Sequence, residues 1–329
     1  MCTAVTLRSG QGEHYFGRTM DFSFDIEPSL YRVGGNYAWR NVIDGDPISD
    51  RYGFLAIGQE SEGLLAFFDG VNERGFAAAA LYFAGYAQYD AQAAPGKAPV
   101  ASVDFLHYIL GKCGSVEDLE ELLQHTSLIG LRDPVTETVA PLHWIAADKS
   151  GNCAVVEQTA GGLELFRNPI GVLANSPDFP WQMTNLRNYR NVSPGQAGEV
   201  VWGGVPLSPF GQGAGTTPLP GGYTSPERFV RTAYLKTHLP VPQGRAETVT
   251  ACFHVMDGVT IPRGAVLTDR GAYDYTKYVA FMNTDTGEYF FRTYDNSQIA
   301  AAGLWENGRP GAQAIRLFGL NRPVVFDKI

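Results

Sequence analysis

Met1-Cys2-Thr3-Ala4-Val5-Thr6-Leu7 opens the chain, and a glycine-containing turn, Ser9 to Gly12, separates it from His14-Tyr15-Phe16-Gly17-Arg18-Thr19-Met20. Two short β-prone runs across a tight turn predict a hairpin. That hairpin would set Cys2 at the end of a sheet strand, on a rigid element. Removal of Met1 would leave one residue carrying both a thiol and a free α-amine. The thiolate is the nucleophile of cysteine chemistry, and an α-amine with a pKa of roughly 7.7–8.0 can take its proton near neutrality. One residue then supplies nucleophile and base together, and activity should require the deprotonated amine unless Asp21 shifts it. Arg18 and Asp21 close the second arm. An arginine beside a thiol favours the thiolate, and a carboxylate can hold an α-ammonium group. Positions 18 and 21 face opposite sides of a straight strand, so the chain must bend near Met20 for both to reach Cys2. The structural alternative is an incidental cysteine and a surface ion pair.

Composition bounds the remaining possibilities. The 329 residues carry a net charge of −9 and are 44% hydrophobic, enough for a sizeable core and against global disorder. No basic run exists, which argues against a nucleic-acid or anionic membrane surface. Cys2, Cys113, Cys153 and Cys252 show neither metal nor disulfide spacing, and the last three read as buried free thiols. With neither a basic n-region nor an apolar h-region at the start, and no apolar stretch of spanning length, a cytoplasmic protein is expected.

Along the chain, residues 22–60 are aromatic and irregular, with weak strand signals at Tyr37–Trp39 and Phe54–Ile57. Leu64–Phe68 and Phe76–Tyr82 read as strands around a turn. Ser102 is expected to cap one helix, with Leu106, Ile109 and Leu110 on its buried face, and Ser115 to open a second with a capping-box-like start. Leu142–Ala147, Asn152–Gln158, Gly162–Phe166 and Gly171–Ala174 have antiparallel meander spacing. Residues 188–223 are Gly/Pro-rich, either a linker or an ordered excursion that touches a partner. Thr224-Ser225-Pro226-Glu227 starts a third helix, and Ala246 to Asp257 forms another. Tyr278–Thr284 and Glu288–Tyr294 make a last hairpin, and residues beyond Ala301 look peripheral. Strands, two helices, strands, two helices, strands fit a layered α+β plan.

Two more positions carry chemistry. Asn175 follows a strand, where its amide hydrogens can reach a developing oxyanion, or it stabilises a turn. Arg228 lies in the first turn of a helix, against the macrodipole, and a residue that breaks a local rule is a functional candidate. The six histidines show no metal or catalytic spacing, although a His-paired thiol stays open in three dimensions. There is no G-x-S-x-G motif.

Met1-Cys2-Thr3, Gly17-Arg18-Thr19-Met20-Asp21-Phe22, Asp69-Gly70-Val71-Asn72-Glu73-Arg74-Gly75, Ala174-Asn175-Ser176-Pro177, Pro209-Phe210-Gly211-Gln212-Gly213 and Arg228-Phe229-Val230-Arg231 occur in that order. Together they resemble the choloylglycine hydrolase family, which groups penicillin V acylases and conjugated bile salt hydrolases. The resemblance implies a single N-terminal nucleophile hydrolase domain over residues 1–329, a four-layer αββα sandwich of two antiparallel sheets. It implies linear amide hydrolysis by processed Cys2, with Asp21 holding the α-amine and Arg18 and Arg228 beside the sulfur. Asn175 and the Tyr82 backbone N–H would form the oxyanion hole. It implies no cofactor and no metal, a small-molecule acyl amide as substrate, and a homotetramer in which about 188–223 grips a neighbour. Bile salt hydrolases usually carry Asn where this chain has Tyr82. A flat phenoxyacetyl group would pack on Tyr82, Phe24 and Met20, so penicillin V acylase is the expected activity. The rivals are a bile salt hydrolase, an N-acyl homoserine lactone acylase, and a non-catalytic binding protein that keeps Met1.

Overall fold

The computed structural model describes residues 1–61, 63–132, 136–306, 308–309 and 311–326. Two antiparallel sheets form its centre. Their strands are β1 (Cys2–Arg8), β2 (His14–Phe22), β3 (Ser29–Val33), β4 (Phe54–Ser61), β5 (Leu64–Asn72), β6 (Phe76–Tyr82), β7 (Leu142–Asp148), β8 (Cys153–Thr159), β9 (Gly162–Arg167), β10 (Val172–Leu173), β11 (Tyr275–Asn283), β12 (Glu288–Thr293), β13 (Ala300–Gly303) and β14 (Ala314–Gly319). The first sheet runs β10-β1-β2-β11-β12-β13 and the second β9-β8-β7-β6-β5-β4-β3-β14. The helices are α1 (Phe105–Lys112), α2 (Val116–Gln124), α3 (Phe179–Asn185), α4 (Ser225–His238) and α5 (Gly244–Asp257). α1 packs on β5 and β6 and α2 on β7, while α4 packs on β1 and α5 on β2 and β11. Helices therefore cover the outer face of each sheet, the expected αββα sandwich.

The alanine run in β6 shows why the layers close. Ala77 and Ala79 join the core between the sheets, whereas Ala78 joins the core under α1 with Leu106, Ile109 and Leu110. A strand apolar at every position is one buried on both faces. Gly70 on β5 serves the same packing, since a Cβ there would lie 2.8 Å from Leu110 Cδ1. Asn72 ties the β5–β6 turn to α1: its amide donates to the Leu110 and Cys113 carbonyls, and its oxygen accepts from the Arg74 and Phe76 N–H groups. The Asp69–Gly75 motif is thus an anchor between strand and helix.

The opening hairpin forms in full, with Cys2 opposite Met20 and Arg8 opposite His14. The caps of α2 and α4 form as expected: Ser115 Oγ accepts from the Asp118 N–H, and Thr224 and Glu227 complete a capping box. Four expectations change, the first being that β10 leaves the expected meander and pairs with β1 in the first sheet. Asp104, not Ser102, is the N-cap of α1, so the helix begins at Phe105. Helix α3 was not anticipated; Asp178 caps it by accepting from the Trp181 N–H. The residues beyond Ala301 are not peripheral, because β14 pairs with β3 and completes the edge of the second sheet. Residues 188–223 hold a short hairpin, Val200–Trp202 with Val205–Leu207, whose apolar side chains are exposed, Val201 at 62% and Trp202 at 73%. Among the described residues, no helix is long and apolar enough to cross a membrane.

Candidate active site

The end of β1 brings the hairpin residues together. Arg18 Nη2 donates to Cys2 Sγ at 2.7 Å and lies 3.2 Å from Met20 Sδ. Arg18 is fully buried and faces the second sheet, where Nη1 donates to the Phe68 carbonyl and pairs with Asp69 at 3.4 Å. Tyr278 and Tyr289 both donate their hydroxyls to Asp69. Burial opposes the charge on Arg18, but Cys2, Tyr278 and Asp69 outweigh it and its pKa is raised. Burial likewise raises the Asp69 pKa, with Arg18 and the two tyrosine hydroxyls opposing. A fully hydrogen-bonded buried network of this kind holds one geometry, and it aims the guanidinium at the sulfur.

Asp21 approaches Cys2 from the opposite face. Its carboxylate accepts from Thr19 and Thr276 hydroxyls and lies 3.8 Å from Arg228 Nη1. Burial raises the Asp21 pKa against the pull of Arg228. Arg228, fully buried on the first turn of α4, donates to the Cys2 carbonyl, to Thr3 Oγ1 and, at 2.6 Å, to Asn175 Oδ1. The electrostatic conflict between Arg228 and its helix dipole is therefore answered by Asp21 and three oxygen acceptors. The bend expected near Met20 is matched by a bulge on the neighbouring strand: Asp21 pairs with Thr276 and Met20 with Tyr278, leaving Lys277 over. The two charged residues nevertheless keep opposite faces. The thiol lies on one and the main chain of the terminal residue can be reached from the other.

With Met1 in place, the Cys2 N–H donates to Asn175 Oδ1 at 2.7 Å. The Met1 ammonium donates to the Asp21 carbonyl at 2.6 Å and to the Asp274 carboxylate at 3.2–3.3 Å. Asn175 Nδ2 donates to the Tyr82 carbonyl at 2.7 Å. The Asn175 backbone is held by Ser225 Oγ on α4 and by Gln182 on α3. His143 is tied to Glu157 and to the Ala174 carbonyl, so it steadies the Asn175 strand end, while Cys2 Sγ is met by arginine. The other three cysteines are buried; burial pushes the Cys153 thiol up to about 12 and also raises those of Cys113 and Cys252.

Above Cys2 opens a largely apolar cavity with a volume of about 140 Å³. Met20, Phe22, Phe68, Tyr82 and Leu142 are among its lining residues. Met20 and Tyr82 sit where the sequence placed them. Phe24 does not line the cavity: its ring lies under the Arg270 guanidinium and beside Phe22, which takes the lining place instead. Sequence reasoning missed Asp69, Tyr278, Tyr289, Thr276 and Asp274. Only Asp69 stood in a quoted motif; the others arrive from β11, β12 and the preceding loop, more than 200 residues away from Arg18.

The family model for linear amide C–N hydrolases of the choloylglycine hydrolase family matches residues 2–308. The chain is 31% identical to the bile salt hydrolase/transferase of Clostridium perfringens, with the whole of both chains covered. A solved variant of the conjugated bile acid hydrolase from the same organism superposes with a TM-score of 0.92 at 30% identity, again over the whole of both chains. The penicillin V acylase of Pectobacterium atrosepticum is more distant, 25% identical with 94% of this chain and 83% of that one covered. The expected preference for penicillin V acylase thus gives way to bile salt hydrolases as the better-matched relatives. A strand-end Cys2 gripped by Arg18 and backed by Arg228, Asp21 and Asn175, together with this agreement over nearly its full length, means that the chain belongs to the choloylglycine hydrolase family and is a linear amide C–N hydrolase.

Proposed function

We propose that the protein hydrolyses conjugated bile salts at the amide that joins the sterol acyl group to its amino acid. The observation that carries this reading is the Arg18–Cys2 contact at the floor of the apolar cavity, and the similarity to bile salt hydrolases along the whole chain supports it. Once Met1 is removed, Cys2 has a free amine next to Asn175 and Asp21. The amine takes the thiol proton while the sulfur attacks the amide carbonyl. One Asn175 amide hydrogen is engaged by the Tyr82 carbonyl; the other, with the Tyr82 N–H, stabilises the oxyanion. Proton return expels the amino acid, and water cleaves the thioester. The same thioester is open to an amine, and the relative's hydrolase/transferase name suits that outcome. A second reading, penicillin V acylase, rests on Tyr82, whose ring lines the cavity beside Met20. It requires release of 6-aminopenicillanic acid and phenoxyacetate with the β-lactam ring intact.

The free buried cysteines suit a reducing compartment, so we place the protein in the cytoplasm. Exposed Val201 and Trp202 support the grip of 188–223 on a neighbouring subunit in a homotetramer. The test of function is turnover of glycocholate, taurocholate and penicillin V side by side, with the mature N-terminus read by mass spectrometry. Cleavage of the conjugates by chains beginning at Cys2, and a loss of about 10³-fold or more in Cys2→Ser, is the expected outcome. Full-rate turnover by chains that retain Met1 would overturn it.

A further inference from the structure

Asp104 lines the same cavity as Cys2, yet nothing in the reaction uses it. It is the N-cap residue of α1, but its side chain makes no capping hydrogen bond. Its Oδ2 is buried and has no hydrogen-bond partner among the described residues, and the residue is only 9% exposed. A buried carboxyl left without a partner costs free energy, and each such group in a folded chain calls for an explanation. Asp104 is also the sole acid among the described lining residues, and the one base, Arg132, is turned to the Glu137 carbonyl. The lining is mainly apolar, with Leu131, Ala140, Leu142 and Phe67 among it, and its neutral polar members include Gln59, Ser61 and Thr136. A few polar groups in a mainly apolar lining are the arrangement by which pockets orient a ligand that is itself mostly apolar, and Asp104 is the one carboxylate among the described ones.

We propose that Asp104 is a specificity residue of the acyl pocket, accepting a hydrogen bond from a hydroxyl on the otherwise apolar acyl group of the substrate. The inference rests on the bile salt reading, in which the acyl group is a hydroxylated sterol. Burial raises the Asp104 pKa to about 6, with His107 opposing, so near neutrality the group is mainly the acceptor carboxylate. Its partner must then be a donor, and a hydroxyl supplies one without introducing charge.

The experiment compares kcat/KM for the glycine conjugates of 5β-cholanic acid, lithocholic, deoxycholic, chenodeoxycholic and cholic acids in wild type, Asp104→Asn and Asp104→Leu. The readout is the ratio of each hydroxylated conjugate to the cholanic conjugate within one variant, which cancels any difference in the amount of folded enzyme. Wild type should favour at least one hydroxyl position by about tenfold or more, the range for a hydrogen bond to a charged group. Asp104→Leu should collapse that ratio toward one, and Asp104→Asn, which keeps an acceptor oxygen, should retain part of it. Equal ratios in wild type and Asp104→Leu, with the conjugates cleaved, would overturn the Asp104 assignment alone. No cleavage of any conjugate would overturn the bile salt reading and the inference with it.

Discussion

Arg18 and Asp69 are both fully buried, and each is kept in place by the other. Removing one member of a buried pair leaves an uncompensated charge. Asp69→Asn strands the Arg18 guanidinium and turns an NH2 group toward one of two tyrosine donors. A loss of about 3–5 kcal/mol in urea denaturation is expected; a change below about 1 kcal/mol would remove Asp69 from its place as anchor of Arg18. Asp104 offers the opposite case, a carboxyl whose Oδ2 has a cost and no hydrogen-bond partner among the described residues. Its folded pKa of about 6 lies above the ordinary 3.8. The fold therefore favours the neutral form, and this contribution is fully present below pH 4 and lost as pH rises through 6. Two pKa units correspond to about 3 kcal/mol. Asp104→Asn cannot ionise, so relative to wild type it should gain stability between pH 4 and pH 7.5. Denaturation curves at those two pH values check this, and a difference that does not change with pH would refute it.

At the level of elements, α4 delivers Arg228 from its first turn, and the Thr224–Glu227 capping box fixes where that turn begins. Thr224→Ala should cost about 0.5–2 kcal/mol, the usual effect of losing a cap. Because Arg228 reaches Cys2, Asn175 and Asp21 from that turn, kcat should fall several-fold as well, while a cap mutation on α2, Ser115→Ala, should cost stability alone. Steady-state kinetics beside urea melts separate the two. The hairpin β1–β2 works on the same principle from the other side. Its antiparallel register sets Cys2 opposite Met20, and alternation then turns Arg18 and Met20 toward the second sheet and Thr19 and Asp21 to the helix layer.

Across the whole molecule, the sandwich is made of two sheets that each need a cover, and the 188–223 excursion stands outside both. Its hairpin exposes Val200, Val201, Trp202 and Val205, more apolar surface than two short strands would leave to water in a lone subunit. Trp202→Glu should shift the assembly to smaller species in sedimentation equilibrium; an unchanged mass would sink the proposed role of this segment. The opening hairpin, the capped starts of α2 and α4, the meander β7–β8–β9 and the residues Cys2, Arg18, Asp21, Asn175 and Arg228 were all legible in the linear chain. The elements are written in local signals, alternation, turn residues and caps, while the five residues stood out as candidates through the motifs that resemble the family. The start of α1 at Asp104, the edge strand β14, the place of Phe22 in the cavity where Phe24 was expected, and the Tyr278–Tyr289–Asp69 support of Arg18 were not. Each depends on which residues far apart in sequence come to share a face, and pairing between strands more than 200 residues apart leaves no periodic trace in either one. The sequence by itself determined the layered plan and put forward Cys2 as the candidate nucleophile, because both readings start from short-range chemistry. Only the tertiary structure decided which face meets the thiol, which carboxyl holds its arginine and which carboxyl oxygen lacks a hydrogen-bond partner among the described residues, because burial and contact are properties of the closed sandwich.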